Sequence, residues 1–118
     1  MLRVDLPYPP SALRPNAASP GAWRKKQTAA KAYRAECAML CRLQGLDKLD
    51  ANRAHLTMVF HATDNRRRDL DNALASAKQA IDAVSDAIGI DDYHFGFTII
   101  RGEVVKGGRL TITIAEDG

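Results

Sequence analysis

The sequence DLDNALASAKQAIDAVSDAI, residues 69–88, carries the clearest helical pattern in the chain. Its apolar side chains recur at alternating steps of four and three residues, at Leu70, Leu74, Ala77, Ile81, Val84 and Ile88. This spacing predicts one amphipathic helix that packs its apolar stripe against a core. Gly89 follows the pattern directly, and a glycine at this position is typical of a helix end.

Segments with strand character lie on both sides of this helix. Residues 55–61 alternate Leu56, Met58 and Phe60 with other side chains, and residues 95–105 are rich in β-branched and aromatic types. Residues 106–108 (Lys-Gly-Gly) predict a tight turn into a second alternating segment, 109–115. We therefore expect the last two strands to form a C-terminal β-hairpin.

The amino-terminal part adds one strand and one helix. Residues 2–6 alternate as a short strand does, residues 7–20 predict a long loop, and residues 21–44 favour helix. The predicted order is strand, helix, strand, helix, strand, strand. This order indicates an α+β fold in which two helices pack on one small sheet.

The composition is typical of a single globular domain, residues 1–118. Hydrophobic residues make up 46% and charged residues 26% of the chain. No apolar run approaches the roughly 18 residues of a membrane span, and no signal peptide is evident, so we expect a cytoplasmic protein with no membrane partner. Cys37 and Cys41 lack a histidine at ligand spacing, which favours buried thiols over a zinc site.

Four aspartates flank the helix at residues 69–88. Asp69 and Asp71 begin it, and Asp91 and Asp92 follow its end. An acid at a helix start can simply cap the helix, so a structural role is the alternative interpretation of the first pair. Crowded carboxylates repel one another, and a hard cation such as Mg²⁺ relieves that repulsion. The pattern therefore favours a magnesium site that acts on a phosphodiester.

A lysine accompanies these acids. On a regular helix, Lys78 and Asp82 each lie within about 20° of Asp71, on a strip separate from the apolar stripe. A lysine beside a metal site can stabilise transition-state charge or assist the leaving group. An ordinary solvated strip, in which Lys78 pairs only with Asp82, is the alternative.

Clusters of basic residues indicate a polyanionic partner more strongly than the net charge of +3 does. One cluster, Arg66, Arg67 and Arg68, directly precedes the acids, and a second occurs in the first helix at Arg24, Lys25, Lys26 and Lys31. Such clusters contact a phosphate backbone or form a solvated face. Lys106 and Arg109, around the predicted turn, are a further candidate phosphate clamp.

The order of these motifs resembles the RusA-type Holliday-junction resolvases of prophages and bacteria. The matching segments are Leu-Pro-Tyr-Pro-Pro-Ser at 6–11, Ala-Tyr-Arg at 32–34, Arg-Arg-Arg-Asp-Leu-Asp-Asn at 66–72, Ile-Asp-Asp at 90–92 and Lys-Gly-Gly-Arg-Leu at 106–110. Each fragment alone is weakly specific. Together they span nearly the whole chain in the order and spacing of that family.

The resemblance implies an endonuclease that uses Mg²⁺ to nick four-way DNA junctions symmetrically as a homodimer, with no small-molecule cofactor. On this pattern, Asp69, Asp71 and Asp92 match the catalytic, metal-binding acids of the family, and Asp91 is a helper. Lys78 is the candidate for the catalytic lysine. The basic clusters are the candidates for DNA binding.

The chain departs from the family pattern at that lysine. The family commonly carries it four residues after the second aspartate, where this chain has Ala75. A three-residue insertion at the helix start would align Lys78 and Asp82 with the family's lysine and the aspartate four beyond it. The segment 12–16, after Pro-Pro-Ser, is also altered, which bears on junction selectivity. The alternatives are therefore a metal nuclease for other branched DNA, or a DNA-binding homologue with impaired catalysis.

Overall fold

A computed structural model describes residues 2–15 and 21–116. Its strands are β1 (Leu2–Leu6), β2 (Ala54–His61), β3 (Phe95–Arg101) and β4 (Arg109–Glu116), and its helices are α1 (Ala22–Leu43), α2 (Leu70–Ser76) and α3 (Lys78–Ile88). Two short 3-10 helices are η1 (Ser11–Leu13) and η2 (Asp92–His94). The α+β class and the order of strands and helices are confirmed. Residues 16–20 of the predicted loop lie outside the described residues.

The strands form one four-stranded sheet in the order β1-β4-β2-β3. β4 runs antiparallel to both β1 and β2, whereas β3 runs parallel to β2. Parallel neighbours need a crossover connection, and α2 with α3 provides it. This crossover places the start of α2 beyond the end of β2 and places η2 before the start of β3.

The core forms between one face of the sheet and the helices. β2 contributes Ala54, Leu56, Met58 and Phe60, which alternate along the strand and are all buried. α1 contributes Tyr33, Cys37 and Cys41, and α3 contributes a set that includes Ile81, Val84 and Ile88. Both cysteines are free and buried, as the sequence predicts. None of the described helices combines the length and apolar character required to cross a bilayer.

The chain reverses direction between β3 and β4 as the turn at 106–108 predicts, but these two strands do not pair with each other. β2 lies between them in the sheet. β3 ends at Arg101 rather than at residue 105, and the following segment crosses the end of β2, where Gly102 N donates to Phe60 O at 3.0 Å. The predicted hairpin pairing is thus corrected to two antiparallel strands on either side of β2.

The helix predicted over residues 69–88 is divided into α2 and α3 at Ala77. Ala77 has φ −93° and ψ 9°, and its N–H bonds to Leu74 O, three residues back, instead of four. The Ser76 hydroxyl donates to Asn72 O at 2.8 Å, and such back-bonding often bends helices. The predicted count of two helices is therefore corrected to three, and the strip of Asp71, Lys78 and Asp82 is not continuous.

Candidate active site

Asp69 occupies the N-cap position of α2 without capping it. Its backbone is extended, at φ −81° and ψ 137°, but its side chain accepts no capping hydrogen bond. The carboxylate is exposed and lies 3.5 Å from Arg67 Nε. The capping alternative therefore explains the position of Asp69 but leaves its charge available to an external cation.

Asp71 lies in the first turn of α2 and is exposed. Its Oδ1 accepts a hydrogen bond from Asn72 N at 2.9 Å. Leu70, between the two acids, packs against the hydrophobic core. Because Leu70 is held inward, Asp69 and Asp71 are held at the surface on the same short turn.

Lys78 joins α3 to the second acid pair. Its Nζ donates to Asp92 Oδ2 at 2.8 Å and to Asp82 Oδ1 at 2.9 Å. These hydrogen bonds, the Asp92 bond first, raise the pKa of Lys78, and the bond from Lys78 lowers the pKa of Asp92. Both groups are therefore charged at neutral pH. Asp71 is not among the partners of Lys78.

The neighbouring Asp91 caps the short helix η2 and does not contact Lys78. Its carboxylate caps η2 by accepting a hydrogen bond from Tyr93 N at 2.9 Å. Asp92 is the first residue of η2 and faces Lys78 instead. The two adjacent acids thus have different surroundings, a difference that the sequence pattern alone does not indicate.

The acids have the oxygen chemistry of a magnesium site but are not gathered within one chain. Among residues 2–15 and 21–116, no three His, Cys, Asp or Glu side chains are close enough to share a metal ion. Asp69 and Asp71 follow the end of β2, whereas Asp92 precedes the start of β3. The seven residues of β3 alone span roughly 20 Å.

A cleft of about 460 Å³ lies beside Asp69. Its lining includes the proline-rich segment 8–11, the turn residues Gly107 and Gly108, and the basic residues Arg14 and Arg67. Gly108 has φ +74°, and a Cβ placed there would lie 2.9 Å from Tyr8 Cβ. The sequence signal for this cleft is the Leu-Pro-Tyr-Pro-Pro-Ser motif at 6–11, but its position beside Asp69 depends on the tertiary structure.

Comparison with known proteins gives full-length relatives, although no protein-family model matches the chain. The "Crossover junction endodeoxyribonuclease rusA" of Enterobacteria phage HK97 is 35% identical over 119 residues, covering 94% of this chain and 91% of that protein. RusA of Escherichia coli K12 is 34% identical over 117 residues, covering 98% and 94%. The chain belongs to the RusA family. An uncharacterized protein of Xylella fastidiosa is 33% identical over 118 residues, covering 97% of this chain and 76% of that protein.

Within this RusA-family chain, Lys78 begins α3 directly after the break at Ala77. The dihedrals of Ala77 depart from helical values and interrupt the helix one residue before Lys78. From this position the Lys78 ammonium contacts Asp92, whereas Ala75, where the resemblance predicts a lysine, lies in α2.

The three arginines before Asp69 differ in their availability. The side chains of Arg66 and Arg67 are 84% and 92% exposed, whereas that of Arg68 is 17% exposed. Arg68 Nη1 donates to Asp64 Oδ1 at 2.8 Å, and to the main-chain oxygens of Asp64 and Arg66. Arg66 and Arg67 therefore extend into solvent, while Arg68 orders the loop that leads to Asp69.

The remaining basic candidates are spread over several elements of this RusA-family chain. Arg24 and Lys25 are exposed at the start of α1, where the Arg24 guanidinium lies 5.4 Å from the Trp23 ring, and Lys26 is half-buried. Lys106 is exposed in the turn beside the cleft. Arg109 is half-buried, and its Nε has no hydrogen-bond partner among the described residues.

Proposed function

We propose that this RusA-family chain is a Mg²⁺-dependent endodeoxyribonuclease that resolves four-way DNA junctions by paired, symmetric nicks. Its full-length relatives named crossover junction endodeoxyribonuclease support the class of reaction. The observation that carries the proposal is the 2.8 Å contact between Lys78 and Asp92, which supplies a lysine beside an acid despite Ala75. This contact favours an active nuclease over a DNA-binding homologue with impaired catalysis.

Asp69, Asp71 and Asp92 would hold the Mg²⁺ ion, because carboxylate oxygens are the ligands that this hard cation prefers. When bound, the ion would polarise the phosphodiester and lower the pKa of a coordinated water. Lys78 is protonated and lies beside Asp92, so it can stabilise negative charge that develops on the phosphate or on the leaving oxygen. Asp91 stabilises the short helix that carries Asp92.

The open edge of the sheet supports a homodimer. β3 is an edge strand, and it exposes the large apolar side chains of Phe97 and Ile100. Tyr93 and Val104, on either side of the strand, are exposed as well. An exposed, apolar edge strand readily pairs with another strand, and a two-fold pairing of β3 with its copy would cover it.

The same pairing accounts for the separation of the acids. In an antiparallel pair, the start of β3 in one copy lies beside the end of β3 in the other. The start is adjacent to Asp92, and a surface depression at the end, lined by Arg101 and Gly102, also includes Leu70 between the other two acids. Asp92 of one copy would then join Asp69 and Asp71 of the other at a shared metal site.

A subunit-mixing experiment tests the function and the shared site together. Wild-type protein is first assayed on a synthetic four-way junction, a flap and a linear duplex, with and without Mg²⁺. We expect paired nicks in the junction only, and only with Mg²⁺. Preferential cleavage of the flap would instead assign a different branched substrate, and binding without cleavage would contradict the enzymatic proposal.

The homodimers Asp71→Asn and Asp92→Asn are then expected to bind the junction without cleaving it. Heterodimers of the two variants would contain one site with both substitutions and one intact site, so we expect single nicks. If each chain holds its own complete site, every site in the heterodimer carries one substitution and no nick forms. Light scattering at micromolar concentration measures the dimer independently, and an active monomer would contradict it.

A further inference from the structure

We propose that Asp82 is a positioning residue for Lys78, and that Arg34 of α1 holds Asp82 in place. The inference rests on the proposed function, in which Lys78 acts at the phosphate that is cleaved. Asp82 itself need not touch DNA or metal. Its role would be to confine the lysine ammonium to the side of α3 that faces η2.

Asp82 divides its two carboxylate oxygens between two cations from different helices. Oδ1 accepts a hydrogen bond from Lys78 Nζ at 2.9 Å, and Oδ2 lies 3.6 Å from Arg34 Nη1. Arg34 is anchored in turn, because its Nη2 donates to Asp86 Oδ2 at 2.6 Å. Alternating charges therefore connect α1 to α3, and Lys78 extends this series to Asp92 at 2.8 Å.

The exposed fractions of the Lys78 and Asp82 side chains indicate which of the two restrains the other. The Lys78 side chain is 59% exposed, and a flexible four-carbon side chain at such a site samples several rotamers unless other groups restrain it. The Asp82 side chain is only 20% exposed, the lowest value in this series of ion pairs. The fixed partner is therefore Asp82, and the mobile partner that it restrains is Lys78.

Asp92 alone would not hold the Lys78 ammonium in one position throughout the reaction. It is also a proposed metal ligand, and a carboxylate that shares its charge with a divalent cation holds an ammonium group less tightly. Asp82 lies one helical turn from Lys78 and is not a proposed metal ligand. It would thus keep Lys78 near Asp92 both before and after the metal binds.

An ordinary i, i+4 ion pair on the surface is the competing explanation, and such pairs contribute little to stability. The two explanations differ in the step that they affect. A surface pair would leave the cleavage rate unchanged, whereas a positioning residue would lower this rate without weakening DNA binding. The effect of Asp82 would also require that Lys78 be present.

The test is single-turnover cleavage of a four-way junction, with enzyme in excess and saturating Mg²⁺. We expect Lys78→Met to lower the rate about 100-fold and Asp82→Asn about 10-fold, with the junction Kd within twofold of wild type. Asp82→Glu, which keeps the charge, should recover most of the rate. The double variant Lys78→Met/Asp82→Asn should be no slower than Lys78→Met, because Asp82 would act only through the lysine.

Asp50→Asn is the matched control. It makes the same substitution at an exposed aspartate that takes no part in the ion pairs of Lys78, Asp82 and Arg34. We expect its rate to stay within twofold of wild type. Equal slowing in Asp50→Asn and Asp82→Asn would attribute the effect to net charge and overturn the inference.

Other outcomes separate this inference from the proposed function. If Lys78→Met is slow but Asp82→Asn cleaves normally, the positioning role is refuted and the nuclease assignment stands. If Lys78→Met cleaves normally, the catalytic role of Lys78 fails, and the positioning role with it. If Asp82→Asn lowers the melting temperature, Arg34→Met provides the second route: a rate that falls several-fold only when Lys78 is present supports the inference, and an unchanged rate refutes it.

Discussion

Removal of Arg66 and Arg67 should reduce the salt dependence of junction binding by a calculable amount. These are the two most exposed arginines in the loop before Asp69, and Arg68 is instead bonded within the loop. Each phosphate contact that is lost lowers the slope of log K against log salt by about 0.9 units, so the double alanine variant should lose about 1.8 units. Between 50 and 200 mM salt, the affinity gap to wild type should then narrow by about 12-fold.

Fluorescence anisotropy with a labelled four-way junction, titrated at several salt concentrations without divalent metal, measures this slope directly. The matched control is Arg3→Ala/Arg42→Ala, which removes the same net charge from β1 and from the last turn of α1. We expect the control slope to stay within about 0.5 units of wild type, because screened charges outside the DNA footprint release few counterions.

An unchanged slope in Arg66→Ala/Arg67→Ala would refute the reasoning, since it would mean that these two exposed guanidinium groups do not contact phosphates in the complex. An equal fall in both double variants would also refute it, because the effect would then follow net charge rather than position. A larger fall than two contacts allow would show that the loop itself had moved.

Two further predictions concern stability. Burial raises the pKa of Cys37 to about 12 and of Cys41 to about 11, whereas unfolded thiols titrate near 8.5, so above that pH the unfolded chain alone loses these protons. The contribution of these thiols to the free energy of unfolding should be retained below about pH 8.5 and fall by about 2.5 kcal/mol between about pH 9.5 and 10.5. Equal denaturant midpoints at those two pH values would contradict this. Gly108→Ala should destabilise the fold by about 1 kcal/mol more than Gly107→Ala, because both glycines have positive φ but only the Gly108 Cβ would press on Tyr8. Equal losses of unfolding free energy in the two variants, measured by urea unfolding, would show that the segment around Tyr8 moves aside without cost.

Local patterns determined much of this fold. The period of the apolar stripe in residues 70–88 and the alternation in 55–61 depend only on nearby residues, and both sets of side chains are largely buried as predicted. The same holds for Cys37 and Cys41. The candidate acids were also visible in the sequence, because Asp69, Asp71 and the pair Asp91 and Asp92 stand at the ends of predicted elements.

Strand pairing depended on the tertiary structure. The glycine-rich turn at 106–108 does reverse the chain, but a turn specifies direction and not the neighbouring strand. The inward side chains of β2 are all buried, and the backbone N–H and C=O groups along both edges of such a central strand need partner strands. The link after Arg101 therefore crosses the end of β2, and β3 becomes the exposed edge that supports the proposed dimer.

The arrangement of the site was likewise decided in three dimensions. No glycine or proline stands at the break at Ala77. The apolar spacing of the sequence therefore continues without interruption across a point at which the helix is interrupted. The partners of Lys78 come from its own helix and from η2, fourteen residues further on. The three arginines 66–68 are equivalent in sequence, yet only Arg68 is largely buried, where it donates a 2.8 Å hydrogen bond to Asp64. Residue types and their periods are local properties, but packing decides which charges meet, because partners distant in sequence become neighbours only when the core is formed.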